Sequence, residues 1–269
     1  MFLTDRFPGT NPIAFLPELA PEDKLVHKGT FSPDLNEYYY TISNKDFSQF
    51  TVKVITKVNG QWSASTDAFF NSKYDDHGMS FSPNGNTLFF SSTRPVPVEG
   101  VPDTWHIWKS EKIKGKWSDP EFIDIPNLKN KLISHPSVTN SGTLYFHASN
   151  LDYSDMDIYS SKLINGKYEN AEKLSIPDYS EVNKCTPHVS PKEDYLIFAS
   201  IGNQLDLMIS FNDGSGAWKE TKAFDAKINT NGQGNPYITP DEKFLFFTTG
   251  KDSENWSVKW VDISPELKK

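Results

Sequence analysis

His27, His77 and His135 recur along the chain at separations of 50 and 58 residues, each shortly before a turn signal. Neutral imidazole is a good ligand for divalent transition ions, so the three form a candidate metal set, and a divalent metal is the one cofactor they admit. Their spacing is not that of a local metal motif, and hydrogen bonding to neighbouring loops or water is the plainer role. Asp76, Lys184, Gln233 and Asn235 stand at or beside equivalent positions. Arg94 and Trp105 flank a Pro-rich stretch, "RPVPVEGVPDTW". A planar aromatic with a nearby donor can hold a sugar ring or a peptide. The candidate ligand-binding set is therefore Asp76, His77, Arg94, Trp105, His135, Lys184, Gln233 and Asn235, with Tyr153, Tyr179 and Trp256 as further aromatics in or beside long connections.

No residue is assigned a catalytic role. The chain has no Gly-x-Ser-x-Gly elbow, and its one cysteine, Cys185, lies three residues from His188, which places the two on opposite faces of an extended strand. Asp75, Asp76 and Glu181 could supply paired carboxylates for glycoside hydrolysis, where their separation decides the chemistry. "DYSDMD", residues 152–157, offers three carboxylates to calcium but lacks the glycine and distal glutamate of an EF-hand loop. Asp157 reads instead as the residue opening a strand, as Asp206 does in the next repeat.

The composition limits the partners. With 27 Lys and Arg against 35 Asp and Glu the net charge is -8, a field that repels phosphate backbones and argues against nucleic acid. A single cysteine allows no intrachain disulfide. No apolar run reaches the length of a membrane span, and the opening "MFLTDRFPGTNPIAF" lacks the sections of a signal peptide. Aromatics at 14%, with 18 Pro and 15 Gly, favour many short strands.

Those strands must position the candidate residues, and they repeat. "FSPDLNEYYYTIS", "FSPNGNTLFFSS", "SVTNSGTLYFHAS", "HVSPKEDYLIFAS" and "YITPDEKFLFFTT" each place a Pro, Asn, Asp or Gly turn between two apolar runs. The marker positions Pro33, Pro83, Asn140, Pro191 and Pro240 are 50, 57, 51 and 49 residues apart. In phase with them, a third strand ends in Gly-x-aromatic at Trp62, Trp117, Tyr168 and Trp218, with room afterwards for a fourth. Repeats of about 50 residues with four antiparallel strands describe propeller blades.

The fifth repeat stops after its third strand, "WSVKWVDIS", while "TNPIAFLPELA" near the start lies where a fourth strand is missing. The expected fold is thus an all-β, five-bladed β-propeller of four-stranded blades, one domain over 1–269, whose last blade is completed by an N-terminal strand. Connections from first to second and third to fourth strand are short, and the others are long. The long-loop face, with a central funnel opening there, is the expected working surface.

The pattern Pro-Asp-Gly-x-x-Leu-x-Phe-x-Ser followed by Asp-Ile-Tyr-x-Ser resembles TolB-like, WD-repeat-like bacterial propeller repeats, as in "SPNGNTLFFSSTRP", "SGTLYFHAS" with "MDIYSS", and "INTNGQGNPYITPDEKFLFFTT". The resemblance covers nearly the whole chain. It implies export to the periplasm or cell surface and a binding role. Family members often carry an acid before each inner strand, where this chain reads "DDHG", "LISHP", "VNKCTP" and "GQGNP". The expected function is a monomeric, non-catalytic module that binds a protein or glycan through its long-loop face. The alternative is a metal-assisted polysaccharide lyase or glycoside hydrolase with its site in the funnel.

Overall fold

The computed structural model describes residues 3–179, 181–250, 252 and 256–267. Its strands form five antiparallel sheets in a ring, one per repeat, with one extra two-stranded hairpin. Blade 1 comprises Lys24–Phe31, Glu37–Asn44, Phe50–Val58 and Thr66–Asp67. Blade 2 comprises Asp76–Phe81, Thr87–Ser92, His106–Ile113 and Glu121–Phe122. Leu132–Val138, Leu144–Ser149, Asp157–Ser161 and Glu172–Lys173 make blade 3. Lys184–Val189, Tyr195–Ile201, Leu205–Asn212 and Trp218–Ala223 make blade 4. Blade 5 is Gln233–Ile238, Phe244–Thr249 and Ser257–Asp262, and its fourth strand is Ile13–Ala14 from the other end of the chain.

That closure follows the expected register. Ile13 pairs with Trp260 and Ala14 with Lys259, and the Phe15 N–H donates to the Val258 carbonyl at 2.9 Å. Phe15 is buried, its ring packed edge-on against Phe246 at 4.8 Å, Trp260 at 5.2 Å and Tyr38 at 5.3 Å. One aromatic thereby ties the N-terminal strand to blade 5 and to blade 1.

Local chemistry explains the blade outline. The residue two places after each marker is left-handed in all five blades: Leu35, Gly85, Gly142, Glu193 and Glu242 have φ between 56° and 85°. Gly fits this conformation without strain, and the other three are held in it by the turn. Asn59-Gly60, Lys114-Gly115 and Asn165-Gly166 have positive φ at both positions, as two-residue hairpins need. The Gly-x-aromatic residues Trp62 and Trp117 pair back onto Lys57 and Lys112 in these hairpins, so the outermost strand begins only after them. In blade 4 the equivalent Trp218 itself opens the outermost strand.

Side chains alternate across a strand, so each blade presents one apolar set to each neighbour. Five buried clusters result, every one shared by two adjacent blades: Tyr39 and Phe70 with Phe90 between blades 1 and 2, Ile107 with Phe146 between 2 and 3, Ile158 with Phe198 between 3 and 4, Ile209 with Phe247 between 4 and 5, and Phe31 with Trp260 between 5 and 1. No described helix is long and apolar enough to cross a membrane.

Every inner strand also carries a β-bulge, with register shifts at Val26/Gly29, His77/Ser80, Ser134/Ser137, Cys185/His188 and Gly234/Tyr237. Gly78, His135, Thr186 and Asn235 occupy the same bulge position and are left-handed, at φ 64°, 57°, 48° and 55°. For a β-branched threonine this is a strained conformation, costing on the order of 1–3 kcal/mol. The bulges re-aim side chains at the point where the inner strands approach the axis.

Candidate functional site

At the long-loop end, the axis is surrounded by aromatic and imidazole rings. His77 lies 4.1 Å from Trp105, 4.5 Å from His135 and 5.5 Å from Phe50 between ring centroids. Phe50 also packs against His27 at 5.4 Å, and His27 in turn meets Trp256 at 5.4 Å and Phe47 at 5.7 Å. Phe47, Trp105 and Trp256 belong to connections between second and third strands, in blades 1, 2 and 5, and Phe50 opens the third strand of blade 1. Phe47 is exposed, and Phe50, Trp105 and Trp256 are half-buried, so their rings form an arc that solvent reaches.

Below the arc the imidazoles are tied by hydroxyls. The Ser134 hydroxyl oxygen lies 3.0 Å from His77 Nε2, from His135 Nδ1 and from Ser91 Oγ. Ser91 Oγ accepts the His135 backbone N–H at 2.9 Å. His135 stacks on His147 at 4.9 Å, and His147 Nδ1 accepts the Thr186 N–H at 3.2 Å. His27 Nε2 lies 2.6 Å from the Ser43 hydroxyl. Burial holds all of these rings neutral: desolvation lowers His27 to about 4 and His147 to about 3, and His77 and His135 fall well below the usual value, with neighbouring imidazoles and Lys28 adding to the shift.

The expected metal set does not assemble. Phe50 packs against both His27 and His77, and Ser43 and Ser134 occupy their Nε2 atoms. Among the described residues, no three His, Cys, Asp or Glu side chains are placed to hold a metal ion.

The expected ligand-binding residues separate into two layers. His77, Trp105 and His135 come together at the axis, with Asn235 beside them, its N–H donating to Thr186 Oγ1 at 3.2 Å. Asp76, Arg94, Lys184 and Gln233 lie deeper and are engaged by the protein itself. Arg94 meets Asp76 at 2.7 Å. Lys184 is fully buried, 3.0 Å from Asp157, and donates to the Tyr179 and Val182 carbonyls at 2.6 Å. Gln233 donates to Thr249 at 3.0 Å. Asp76, Arg94 and Gln233 brace the segments from which Trp105 and Trp256 project, and Lys184 braces the connection between blades 3 and 4. Asp75 does the same, its carboxylate accepting the Phe50 N–H at 2.9 Å. Asp157 opens its strand as read from the repeat and also pairs with Lys173 at 2.8 Å, while Asp152 accepts from Ser154 within its own turn.

Phe47, Phe50 and His147 escape the sequence reading. "NKDFSQF" is too short to stand out among the long connections, although its two aromatics flank a polar turn; His147 sits inside the apolar run "LYFHAS". The expected funnel opening is also corrected. The axial cavity is lined by Pro33, Pro83, Pro191 and Pro240, the turn residues of the opposite face, because rings occupy the long-loop end. A larger cleft of about 860 Å³ lies away from the axis, between blades 3 and 4, beside Lys162 and Trp218.

No protein-family model matches the chain, and no curated protein sequence matches it. Solved structures do. A structure described as a glycoside hydrolase superimposes with a TM-score of 0.59 at 9% identity, covering 94% of this chain and 90% of that one. The GH43 endo-arabinanase from Bacillus licheniformis gives 0.54 at 16% identity, over 90% and 95%. TolB from Acinetobacter baumannii gives 0.50 at 12% identity, over 87% of this chain and 54% of that one, so this chain spans about half of the TolB structure. At such identities the likeness shows the β-propeller fold.

Proposed function

We propose that the protein is an exported, non-catalytic binding module whose long-loop face takes a neutral glycan. The observation that supports it is the arc of Trp105, Phe50 and Trp256 backed by neutral His77 and His27. Aromatic faces offer apolar area to the C–H side of a sugar ring, and imidazole and amide groups beside them exchange hydrogen bonds with its hydroxyls. Arg94 and Asp76 beneath the arc are paired with each other, which leaves aromatic faces and neutral imidazoles to meet an uncharged ligand. The resemblance to TolB-like repeats supports the exported, binding role.

Intrinsic tryptophan fluorescence titrated with a panel of neutral oligosaccharides tests the reading. A saturable change is expected with at least one of them, lost in Trp105→Ala, with the sugar recovered intact by chromatography. Absence of any saturable change, or an unaltered titration in Trp105→Ala, overturns the glycan site; shortened products overturn the non-catalytic part.

A further inference from the structure

Between the imidazoles and the short-turn face, the axis encloses a cavity of about 190 Å³. Lys28, from the bulge of blade 1, lines it and is 4% exposed. Among the described residues no hydrogen bond or ion pair falls on its ammonium. The contrast with Lys184 is informative, since that lysine has a carboxylate and two carbonyls around it. An ammonium that borders a cavity without a protein partner is stabilised by a countercharge placed in that cavity.

The surroundings fit a particular kind of countercharge. Burial lowers Lys28 to about 8, so it still holds its proton at neutral pH. The titratable groups around it are His77, His135 and His188, all held neutral by burial, together with Tyr195, Tyr237 and Glu242 among the cavity residues, the Tyr195 hydroxyl donating to the Glu242 carboxylate at 3.3 Å. Ser137 Oγ accepts the Val189 N–H at 3.0 Å, which leaves its own proton to donate. Phe81, Val138 and Ile238 add apolar surface to a wall that also carries the hydroxyls of Thr30, Ser80 and Thr239. The volume is smaller than the roughly 300 Å³ at which drug-sized sites begin, so the occupant is small.

We propose that this cavity binds a small aliphatic carboxylate, its anionic end on Lys28 and Ser137 and its alkyl end toward the proline-lined mouth. The site lies on the other side of the imidazoles from the aromatic arc and is independent of glycan binding there.

Calorimetric titration of the full chain with butyrate, butyramide and chloride tests the proposal. Butyrate is expected to bind saturably and raise the melting temperature, and butyramide and chloride to do neither. Trp105→Ala should bind butyrate as the wild type does, and Lys28→Met should not bind it. In the wild type, affinity should fall about tenfold per pH unit above pH 8 as Lys28 loses its proton, a readout that needs no variant. The cavity holds water only, and the proposal fails, if butyrate does not saturate. It fails equally if butyramide or chloride matches butyrate, or if the affinity is unchanged between pH 7 and 10 or in a folded Lys28→Met variant.

Discussion

The Arg94 guanidinium lies 2.7 Å from the Asp76 carboxylate while donating to the Phe70 carbonyl at 2.8 Å and resting over the rings of Phe90 and Trp108. Both side chains are largely buried, and the pair locks the start of the Pro-rich connection that ends at Trp105. Breaking a buried pair leaves one charge uncompensated, so Arg94→Met should cost about 3–5 kcal/mol in chemical denaturation. Removing both charges in Arg94→Met with Asp76→Asn should cost less than the sum of the single changes.

Phe15 is the joint of the ring. Truncating it removes a buried aromatic that touches blades 5 and 1, and Phe15→Ala should lower stability by about 3–5 kcal/mol. Because the ring closes through this strand, the loss should appear in one cooperative unfolding transition, followed by fluorescence and circular dichroism together.

Mild acid should destabilise the fold through its buried imidazoles. His27 at about 4 and His147 and His188 at about 3 stay neutral in the folded chain, while the same groups unfolded take a proton near 6.5. The unfolded state therefore binds more protons below pH 6.5, and stability falls as pH drops from there toward 4. Denaturation midpoints at pH 7.5, 6 and 5 measure the slope, and His147→Gln should make it shallower.

Lys28 works in the opposite range. Its folded value of about 8 lies below the usual 10.5, so the fold loses stability as pH falls from 10.5 through 8. Lys28→Met should thus stabilise the ligand-free protein at pH 7, by on the order of 3 kcal/mol at most. Thermal melting in chloride buffer reads this directly.

Cys185 is buried, and burial pushes its thiol up to about 12. A disulfide reagent at pH 8 should leave it unmodified in the native protein and react with one thiol per chain in denaturant.

The periodic part of this protein was legible from its residues. Turn chemistry at Pro33, Pro83, Asn140, Pro191 and Pro240, and the alternation of Phe, Tyr and Leu around it, are local properties, and they determine five blades and the shared last sheet. The candidate site was only partly legible, because a repeat tells which residues are equivalent and says little about which of them meet across the axis. His27 and His77 occupy equivalent positions, yet Phe50 packs against both and Ser43 and Ser134 take their nitrogens. Asp76 and Lys184 are equivalent too, and each pairs with a charge of the protein itself, Arg94 beyond the second strand of blade 2 and Asp157 at the start of the third strand of blade 3. Lys28 falls at the repeat position of Gly78, His135, Thr186 and Asn235 without their left-handed backbone, and nothing in its sequence neighbourhood shows that its ammonium lacks a partner. Local propensity thus set the blades, while the contents of the axis depended on side chains brought together from five distant segments, which only the closed ring could decide.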